Sequence, residues 1–388
     1  MSSLLLARPS VRLLLLAAGR RALSARPAAP QPEALSVFLS QSHNVFTNLA
    51  LEDWLYRNFR FGRHNLLMVW RNAPCVVIGR HQNPWREVDT HHLHAAGMPL
   101  ARRNSGGGTV YHDLGNLNLT FFSAREQYDR SANLHLVADA LRQGWGFDIT
   151  VNERDDILLD GAFKVSGTAA KLTRNTAYHH LTLMVNVDTD SLHRSLERPL
   201  YSGHRSLEWP LHGLKSGATE SVPAPVRNLA DGAPSVSMDK IVAAIGQMYL
   251  KQAGKQASRG FQMVNPSDEW FPGLAALEAG LADPGWVYGK TPRFSHTFRL
   301  AACSNVEVEV QVEKGLITSV QPLPPDNSAG VSGTEWVRSI LPSAFPELLA
   351  SLVGEKYCAD IARRTETLLL GHTGSADTCR SDRRILAM

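Results

Sequence analysis

Apolar residues recur at helical spacing in two stretches of this 388-residue chain. Leu51, Trp54, Leu55 and Phe59 fall on one face and predict an amphipathic helix near the start of the chain. A second helix is predicted after Ser237, which stands at the N-cap position. Gly254 follows its expected end, and its apolar face carries Ile241, Ala244, Ile245 and Met248.

Between these two helices, short apolar runs occur in pairs. The runs 66–70 and 75–79 form one pair, and the runs 109–112 and 117–122 form another. Turn-forming Gly, Pro, Asn or Asp residues separate the two runs of each pair, a pattern typical of β-hairpins. We therefore expect a hairpin at each of the two places.

A third pair of runs has Asp160-Gly161 between its arms, the strongest short hairpin pattern. Alternation along the second arm puts Phe163 and Val165 on one face, so Lys164 lies on the opposite face. If that face is a ligand cleft, Lys164 supplies a fixed positive charge beside a phosphate or a carbonyl oxygen. The alternative is a strand lysine in solvent, and spacing alone does not separate the two.

The chain beyond residue 263 predicts a second, smaller α+β unit. Four valines from Val306 to Val312 alternate with polar residues, as in a strand with one solvated face. Residues 196–234 are rich in Pro, Gly and Ser and predict a long loop system of the kind that often covers a ligand. We expect a leader over residues 1–32, a first domain over 33–262 and a second domain over 263–388.

The leader holds five arginines and no acidic residue, although the whole chain has a formal charge of only +4. Such an Arg-rich, acid-free beginning, ending here in Pro27-Ala-Ala-Pro30-Gln-Pro32, is typical of a mitochondrial transit peptide and predicts the mitochondrial matrix. A secretory signal and a merely disordered N-terminus are the alternatives. Without the leader, the charge of the chain is −1, so no electrostatic argument favours nucleic-acid binding.

The four cysteines are scattered, with no CxxC pair and no cluster with histidine. They match neither a disulfide framework nor a zinc site and favour a reducing compartment. We expect no protein-borne metal site and no permanently bound cofactor. No other stretch reaches the roughly 18 apolar residues of a membrane span, so we expect no membrane partner.

The segment Arg102 to Asp113 contains three consecutive glycines before a strand. Glycines remove side chains where a ligand must approach the backbone, and their N–H groups can form a nest for an anion. The segment is neither a P-loop nor a GxGxxG motif, and a simple Gly-rich hairpin end is the structural alternative.

Histidines occur as the adjacent pair His179-His180 and as a cluster at positions 91, 92 and 94. Neighbours on a strand point in opposite directions and cannot easily share a metal ion, so His180 is expected to be a satisfied core histidine. The cluster fits a solvated helix face. With neither a GxSxG motif nor a cysteine in the three segments singled out, covalent catalysis has no candidate nucleophile.

Taken together, these segments resemble the lipoate-protein ligase and lipoyltransferase family, in the family order, over nearly all of residues 35–300. The resemblance implies an α+β fold, with a catalytic domain of the class II aminoacyl-tRNA synthetase and biotin-ligase type and a small α+β C-terminal accessory domain. The pieces that carry it are residues 77–85, 102–116, 154–156, 164–169, 179–183 and 288–295.

The family forms an amide between lipoic acid and one lysine of a lipoyl domain, through lipoyl-AMP. The resemblance implies that Lys164 is the catalytic residue and touches both the acyl oxygen and the phosphate. It also implies that the lipoyl-AMP substrate is bound by Lys164 itself and by Arg103, Gly106, Gly107, Gly108, Tyr111, Arg154, Thr182, Thr219 and Ser221.

Asp155 departs from the family pattern, because bacterial ligases carry Asn there. A carboxylate beside a triphosphate and its metal would repel it, which favours lipoyl transfer without ATP-dependent activation. The donor would be lipoyl-AMP or the lipoylated glycine-cleavage H protein. The acceptors would be the lipoyl domains of E2 subunits of 2-oxoacid dehydrogenase complexes.

Two alternatives stay open: an ATP-dependent lipoate-protein ligase, and a non-catalytic carrier of lipoyl-adenylate that needs the pocket but not the lysine. The sequence ranks neither the donors nor the E2 acceptors. Nothing in it demands more than a monomer, and it does not say whether the C-terminal domain moves on binding.

Overall fold

Four β-sheets organise the protein in the computed structural model, which describes residues 32–196, 213–233, 235–252, 258–300, 306–323 and 345–369. The strands are β1 Ala34–Ser40, β2 His64–Trp70, β3 Cys75–Ile78, β4 Leu100–Arg102, β5 Val110–His112, β6 Asn116–Ala124, β7 Ile149–Val151, β8 Ile157–Leu159, β9 Phe163–Ser166, β10 Thr168–Leu172, β11 Thr176–Met184, β12 Leu214–Ser216, β13 Ser258–Val264, β14 Phe294–Leu300, β15 Val306–Glu313 and β16 Leu316–Leu323.

Helices cover the sheets, and Arg125–Gln127 forms a short 3₁₀ turn. The helices in the described ranges are α1 Val45–Asn58, α2 Pro84–Glu87, α3 Thr90–Ala95, α4 Arg130–Trp145, α5 Thr189–Leu196, α6 Leu229–Gly232, α7 Met238–Lys251, α8 Leu274–Ala282, α9 Pro284–Val287, α10 Phe345–Ser351 and α11 Ile361–Leu369.

The largest sheet has six strands in the order β10-β11-β6-β2-β1-β13. Strand β1 runs parallel to β2 and β13, and the other pairs are antiparallel. Alternate residues of its central strands enter different cores: Leu67 packs with α4 and α7, whereas Leu66 and Met68 pack with α1 and α8. Both faces are therefore covered, which explains the nearly continuous apolar runs in β2 and β6.

The strands predicted in the first two pairs are present, but both hairpin predictions are wrong. Strand β2 belongs to the six-stranded sheet, whereas β3 pairs with β4 and β5 in a separate three-stranded sheet. Likewise β5 lies in the small sheet and β6 in the large one. The turns at both places carry the chain from one sheet to the other, and a local turn pattern does not specify which sheet the next strand joins.

The third hairpin is confirmed. Strands β8 and β9 pair in antiparallel fashion, and Asp160 (φ 53°) and Gly161 (φ 65°) take the left-handed conformations of a tight primed turn. The two predicted helices are also confirmed as α1 and α7, the latter with Ser237 accepting a hydrogen bond from the Lys240 N–H as its N-cap. Gly254 lies outside the described residues.

The histidine cluster lies on helix α3, as predicted. Leu93 is the buried residue of that helix, whereas His91 and His94 are exposed and His92 is half-buried. The cluster therefore occupies a solvated helix face.

The C-terminal sheet has the order β12-β14-β15-β16. The alternation from Val306 to Val312 is confirmed, since the valines are buried and their neighbours half-buried. Its first strand, β12, comes from the long loop region of the first domain and pairs with β14. The expected boundary at residues 262 and 263 falls inside β13, which pairs with β1 of the large sheet.

Two contacts, one aromatic and one cationic, join the C-terminal part of the chain to helix α2 and to the small sheet. Trp85 of α2 packs edge-on against Tyr357, with ring centroids 4.9 Å apart. The guanidinium of Arg102, fully buried, donates to the carbonyls of Gly79, Arg80, Gln82 and Val287 and to the Thr291 hydroxyl.

No helix among the described residues combines the length and apolar character that a membrane crossing needs.

His179 of β11 is fully buried on the face of the large sheet that carries α4, and burial, followed by the charges of His180 and Arg130, lowers its pKa to about 3. The unfolded chain therefore binds a proton below about pH 6.5 that the folded chain excludes until about pH 3, so this contribution to stability is present above pH 6.5 and is lost as pH falls.

We predict that His179→Gln reduces the pH dependence of the unfolding free energy between pH 6.5 and 4 by up to about 1.4 kcal/mol per pH unit. Urea unfolding of both proteins at several pH values measures this pH dependence. The exposed His94→Gln variant is the control, and an unchanged slope for His179→Gln contradicts the assignment.

Candidate active site

A cavity of about 310 Å³ lies over the face of the large sheet that carries α1. Its floor is formed by β2, β6 and β11, one wall by the β8-β9 hairpin and another by the Gly-rich loop between β4 and β5. Residues 219–222 lie across it. The lining residues include Trp70, Arg103, Gly107, Gly108, Thr109, His112, Asn118, Arg154, Asp156, Lys164, Gly167, His180, Thr182, Thr219 and Ser221.

Lys164 lines this cavity, and Val165 is fully buried in the core behind it. Alternation along β9 placed the two on opposite faces but left open whether the face of Lys164 met a cleft or solvent. The Nζ of Lys164 lies 2.7 Å from Oδ1 of Asp156, a carboxylate that is only 10% exposed. A Cβ placed on Gly167 would lie 3.5 Å from Lys164 Cε and 3.7 Å from Thr182 Oγ1. The ammonium group is thus held by an anion on one side and faces a stretch of bare backbone on the other.

Arg103 shapes the Gly-rich loop. Its Nη2 donates to the carbonyls of Gly106 (2.6 Å) and Gly108 (2.7 Å), its Nη1 to Val77, and its Nε to the Ser105 hydroxyl. Arg103 is only 5% exposed, and the hydrogen bonds from its guanidinium group to these oxygens hold the loop in shape. Arg103 also lines the cavity, so its role as a substrate-binding residue stays a prediction.

A buried chain of hydrogen bonds supports Arg103 from the core. Nε2 of His180 lies 2.8 Å from Ser105 Oγ, and its Nδ1 donates to Glu52 Oε1 of α1 at 2.8 Å. Thr120 donates to the same oxygen. Burial alone would raise the pKa of Glu52, but the charge and hydrogen bond of His180 and the bond from Thr120 outweigh burial and lower that pKa below its usual value. His180 is the satisfied, buried histidine expected from the sequence, and it also lines the cavity.

The segment over the cavity is fastened mainly through Ser221. The Ser221 hydroxyl donates to Oε2 of Glu87 on α2, its Oγ accepts from Gln82 Nε2 (3.0 Å), and it accepts the backbone N–H of Thr109 at 2.8 Å. Farther along, the Lys164 N–H donates to the carbonyl of Pro225. We call residues 217–226 the covering segment, of which residues 219–222 line the cavity.

Eight of the ten predicted site residues line the cavity. Gly106 and Tyr111 do not. Val110 and His112 face the cavity, so the residue between them on β5 points the other way, and Tyr111 packs with Val76, Val88 and Leu93. The predicted residues that do line it are Arg103, Gly107, Gly108, Arg154, Lys164, Thr182, Thr219 and Ser221.

Asp155 is not among the lining residues. Its carboxylate pairs with Arg130 on α4 at 2.6 Å, and its backbone has a left-handed φ of 63°. The charge of Asp155 is thus directed toward a cation outside the cavity. The sequence argument that this carboxylate repels a bound triphosphate therefore loses its geometric basis.

Sequence reasoning missed Asp156 as the partner of Lys164, and it missed Glu52, Trp70, His112 and Asn118. A carboxylate among the apolar residues of α1 was a sign that Glu52 has a buried partner, because unpaired charges are rarely buried. No local sequence pattern indicated Asn118, because its position in the cavity depends on the strands beside it.

Within the described ranges, no group of three or more His, Cys, Asp or Glu side chains could hold a metal ion.

The comparisons with known proteins assign a family to this site. The family described as the lipoyl protein ligase A/B catalytic domain matches residues 44–249. The mitochondrial lipoyl amidotransferase LIPT1 of Homo sapiens is 37% identical over 357 residues, which is 90% of this chain and 87% of that protein. Lipoate-protein ligase A of Bdellovibrio bacteriovorus is 32% identical, over 85% of this chain and 91% of its own. The chain therefore belongs to the lipoyl protein ligase A/B family.

Solved structures share the fold. The crystal structure of P. falciparum LipL1 with lipoate matches with a TM-score of 0.55 and 21% identity, covering 92% of this chain and all of that one. The bipartite lipoate protein ligase of Thermoplasma acidophilum matches with a TM-score of 0.51 and 22% identity, covering 67% of this chain and 98% of its own.

Together, the family match, the relatives and the shared fold confirm the predicted family, fold class, lipoyl-transfer activity and mitochondrial assignment.

Gly107 provides a test of the wall of the cavity. Its φ is +85°, and a Cβ there would lie 2.9 Å from Arg103 Nη2. We predict that Gly107→Ala distorts the loop at a cost of about 1–3 kcal/mol and lowers affinity for a non-hydrolysable lipoyl-adenylate about tenfold or more. Calorimetric titration with the analogue measures the affinity.

The control is Gly144→Ala on helix α4, where a Cβ meets nothing within 4 Å. This control should bind the analogue like the unaltered protein. Equal affinity in Gly107→Ala would show that the loop does not form the ligand wall.

Proposed function

We propose that this protein transfers the lipoyl group of lipoyl-AMP to a lysine of a lipoyl domain, and that Lys164 is its catalytic residue. The observation that carries the proposal is the position of Lys164, which lines the cavity beside Gly167 with its ammonium group paired to Asp156. Family membership supports the class of reaction. The proposed division of labour is a catalytic domain over residues 33–262 and an accessory domain over 263–388, acting as a monomer.

The chemistry requires charge and placement rather than an enzyme nucleophile. In lipoyl-AMP the acyl carbon is already electrophilic, because phosphate is its leaving group. The acceptor amine attacks that carbon, the C–N bond forms, the C–O bond to the phosphate breaks, and AMP leaves while the amine loses a proton. Negative charge grows first on the acyl oxygen and then on the phosphate, where a fixed cation lowers the barrier.

Lys164 can supply this cation because strand β9 fixes its backbone and Asp156 orients its ammonium group. Thr182 lies on the floor beside it, and the missing side chain of Gly167 lets the ligand come close to both. A phosphate arriving here competes with Asp156 for the same ammonium. We place the acyl-phosphate link between Lys164 and the covering segment, with Arg154 at the rim next to the nucleotide.

The proposed acceptors are the lipoyl domains of E2 subunits, and the glycine-cleavage H protein is a proposed donor or partner. The T. acidophilum system was solved as a bipartite ligase together with its E2 lipoyl domain, which supports this class of acceptor. The leader, residues 1–32, is proposed to be a mitochondrial transit peptide. Residues 1–31 of it lie outside the described part of the chain.

A second candidate is an ATP-dependent ligase that also makes lipoyl-AMP. The observation that favours it is the pairing of Asp155 with Arg130 outside the cavity, which removes the expected repulsion of a triphosphate. Lipoate-dependent exchange of pyrophosphate into ATP separates the two candidates. We expect no exchange above background, and robust exchange would establish the ligase instead.

Replacement of Lys164 tests the proposed mechanism. We predict that Lys164→Ala lowers transfer from supplied lipoyl-AMP to a purified lipoyl domain by at least about 10²–10³-fold, because the developing charge loses its cation. The mass of the modified domain measures transfer, and circular dichroism checks that the variant is folded.

The matched control is Lys240→Ala, an exposed lysine on α7. It should transfer at the rate of the unaltered protein. Full activity in folded Lys164→Ala would favour the non-catalytic carrier and contradict the role assigned to Lys164.

A further inference from the structure

Strand β9, which carries Lys164, lies at the edge of the three-stranded sheet β7-β8-β9. Its pairing with β8 is irregular beside that lysine. Ile157 is opposite Ser166, whereas Leu158 is opposite Lys164, so Val165 is an extra residue in β9. Such a bulge disrupts the ladder locally, and an edge strand has no second neighbour in its own sheet to restrain it. The position of Lys164 therefore depends on contacts made at the outer edge of β9.

The covering segment supplies a contact at this edge. The Lys164 N–H donates to the carbonyl of Pro225 at 2.8 Å, and Lys164 forms an isolated parallel bridge with Val226. The segment thus extends the small sheet by one short stretch beyond β9. A single bridge of this kind gives little restraint, because one hydrogen bond contributes only modestly to stability.

Arg227, the residue directly after the covering segment, contacts the hairpin at two further points. Its Nη1 donates to Oδ2 of Asp160 in the hairpin turn at 2.7 Å. Its guanidinium carbon lies 3.7 Å from the centre of the ring of Phe163, the residue before Lys164. A planar guanidinium can stack on an aromatic face while it pairs with a carboxylate. One side chain therefore spans the hairpin from its turn to its strand.

The backbone that carries Arg227 is itself fixed to the core. The neighbouring Asn228 is buried, and its side chain accepts the Val187 N–H at 2.8 Å and donates to the Val187 carbonyl at 2.9 Å. Val187 lies just beyond the end of β11, a floor strand of the cavity. Through Arg227, the floor of the cavity is therefore connected to the wall that carries Lys164.

We propose that Arg227 is a positioning residue, which fixes β9 and thereby the ammonium group of Lys164 relative to the substrate. The inference rests on the proposed function, since Arg227 acts through the proposed catalytic residue. Arg227 is not among the residues that line the cavity. The side chains of Arg227 and Asp160 are 35% and 52% exposed, so replacing the arginine leaves no buried charge unpaired. The expected effect is therefore on the rate of transfer rather than on folding.

Transfer from lipoyl-AMP to a purified lipoyl domain, measured with the full chain, tests the inference. We expect Arg227→Ala to lower kcat about three- to tenfold, because a slightly misplaced catalytic group slows the reaction. Affinity for the non-hydrolysable lipoyl-adenylate should change by less than about twofold. Arg227→Lys should give an intermediate rate, because lysine keeps the ion pair but not the planar stack. The control is Arg63→Ala, which removes an exposed ion pair with Glu33 and should leave kcat unchanged.

The decisive comparison adds Arg227→Ala to Lys164→Ala. We expect no further loss of transfer, because the side chain that Arg227 positions is already absent. A purely structural role would lower kcat by the same factor in both backgrounds, and that result would overturn the inference. So would an unchanged kcat in Arg227→Ala alone.

Hydrogen exchange measured by mass spectrometry reports on β9 independently of activity. Peptides that contain residues 163–166 should exchange about three- to tenfold faster in Arg227→Ala, while peptides from β15 stay unchanged. Equal exchange of β9 in the variant and the unaltered protein would contradict the inference. Full transfer by Lys164→Ala would instead contradict the proposed function, and the exchange result would still show whether Arg227 fixes the strand.

Discussion

The buried pair of Glu52 and His180 is the interaction on which the geometry of the site depends. It connects helix α1 to the floor strand β11 and, through Ser105, to Arg103. Removing one member of such a pair leaves an uncompensated polar group in the core, which costs more than the pair itself contributes. The shape of the Gly-rich loop therefore depends on a chain of hydrogen bonds that begins in the core, at Glu52.

The elements of the fold could be predicted from local patterns, but their pairing could not. Alternation and helical spacing found α1, α7, β15 and the β8-β9 hairpin. The two hairpins that failed have good turn sequences, yet their strands enter different sheets, because burial of both faces of β2 and β6 decides the partner. A turn pattern reports the local backbone direction, whereas sheet membership is a property of the whole core.

The same distinction applies to the site. Alternation placed Lys164 on the face opposite Val165, and in the structure that face lines the cavity. On β5 the same alternation turns Tyr111 away from the cavity, although the family resemblance had implied a ligand contact. Asp156 and Asn118 could not be found this way. Their roles depend on a hairpin wall and on cross-strand neighbours, which become adjacent only after folding. Sequence thus predicted which face a residue takes, and tertiary structure determined what it meets there.

Strand β12 leads directly into the covering segment, and its hydrogen-bonding partner is β14 of the C-terminal sheet. The covering segment is therefore attached, through β12, to the C-terminal sheet, although its residues come before residue 262. A protein shortened at that residue would retain Lys164 and the whole cavity floor, but the strand that leads into its roof would have an unpaired edge. The small C-terminal sheet thus takes part in holding the candidate active site together.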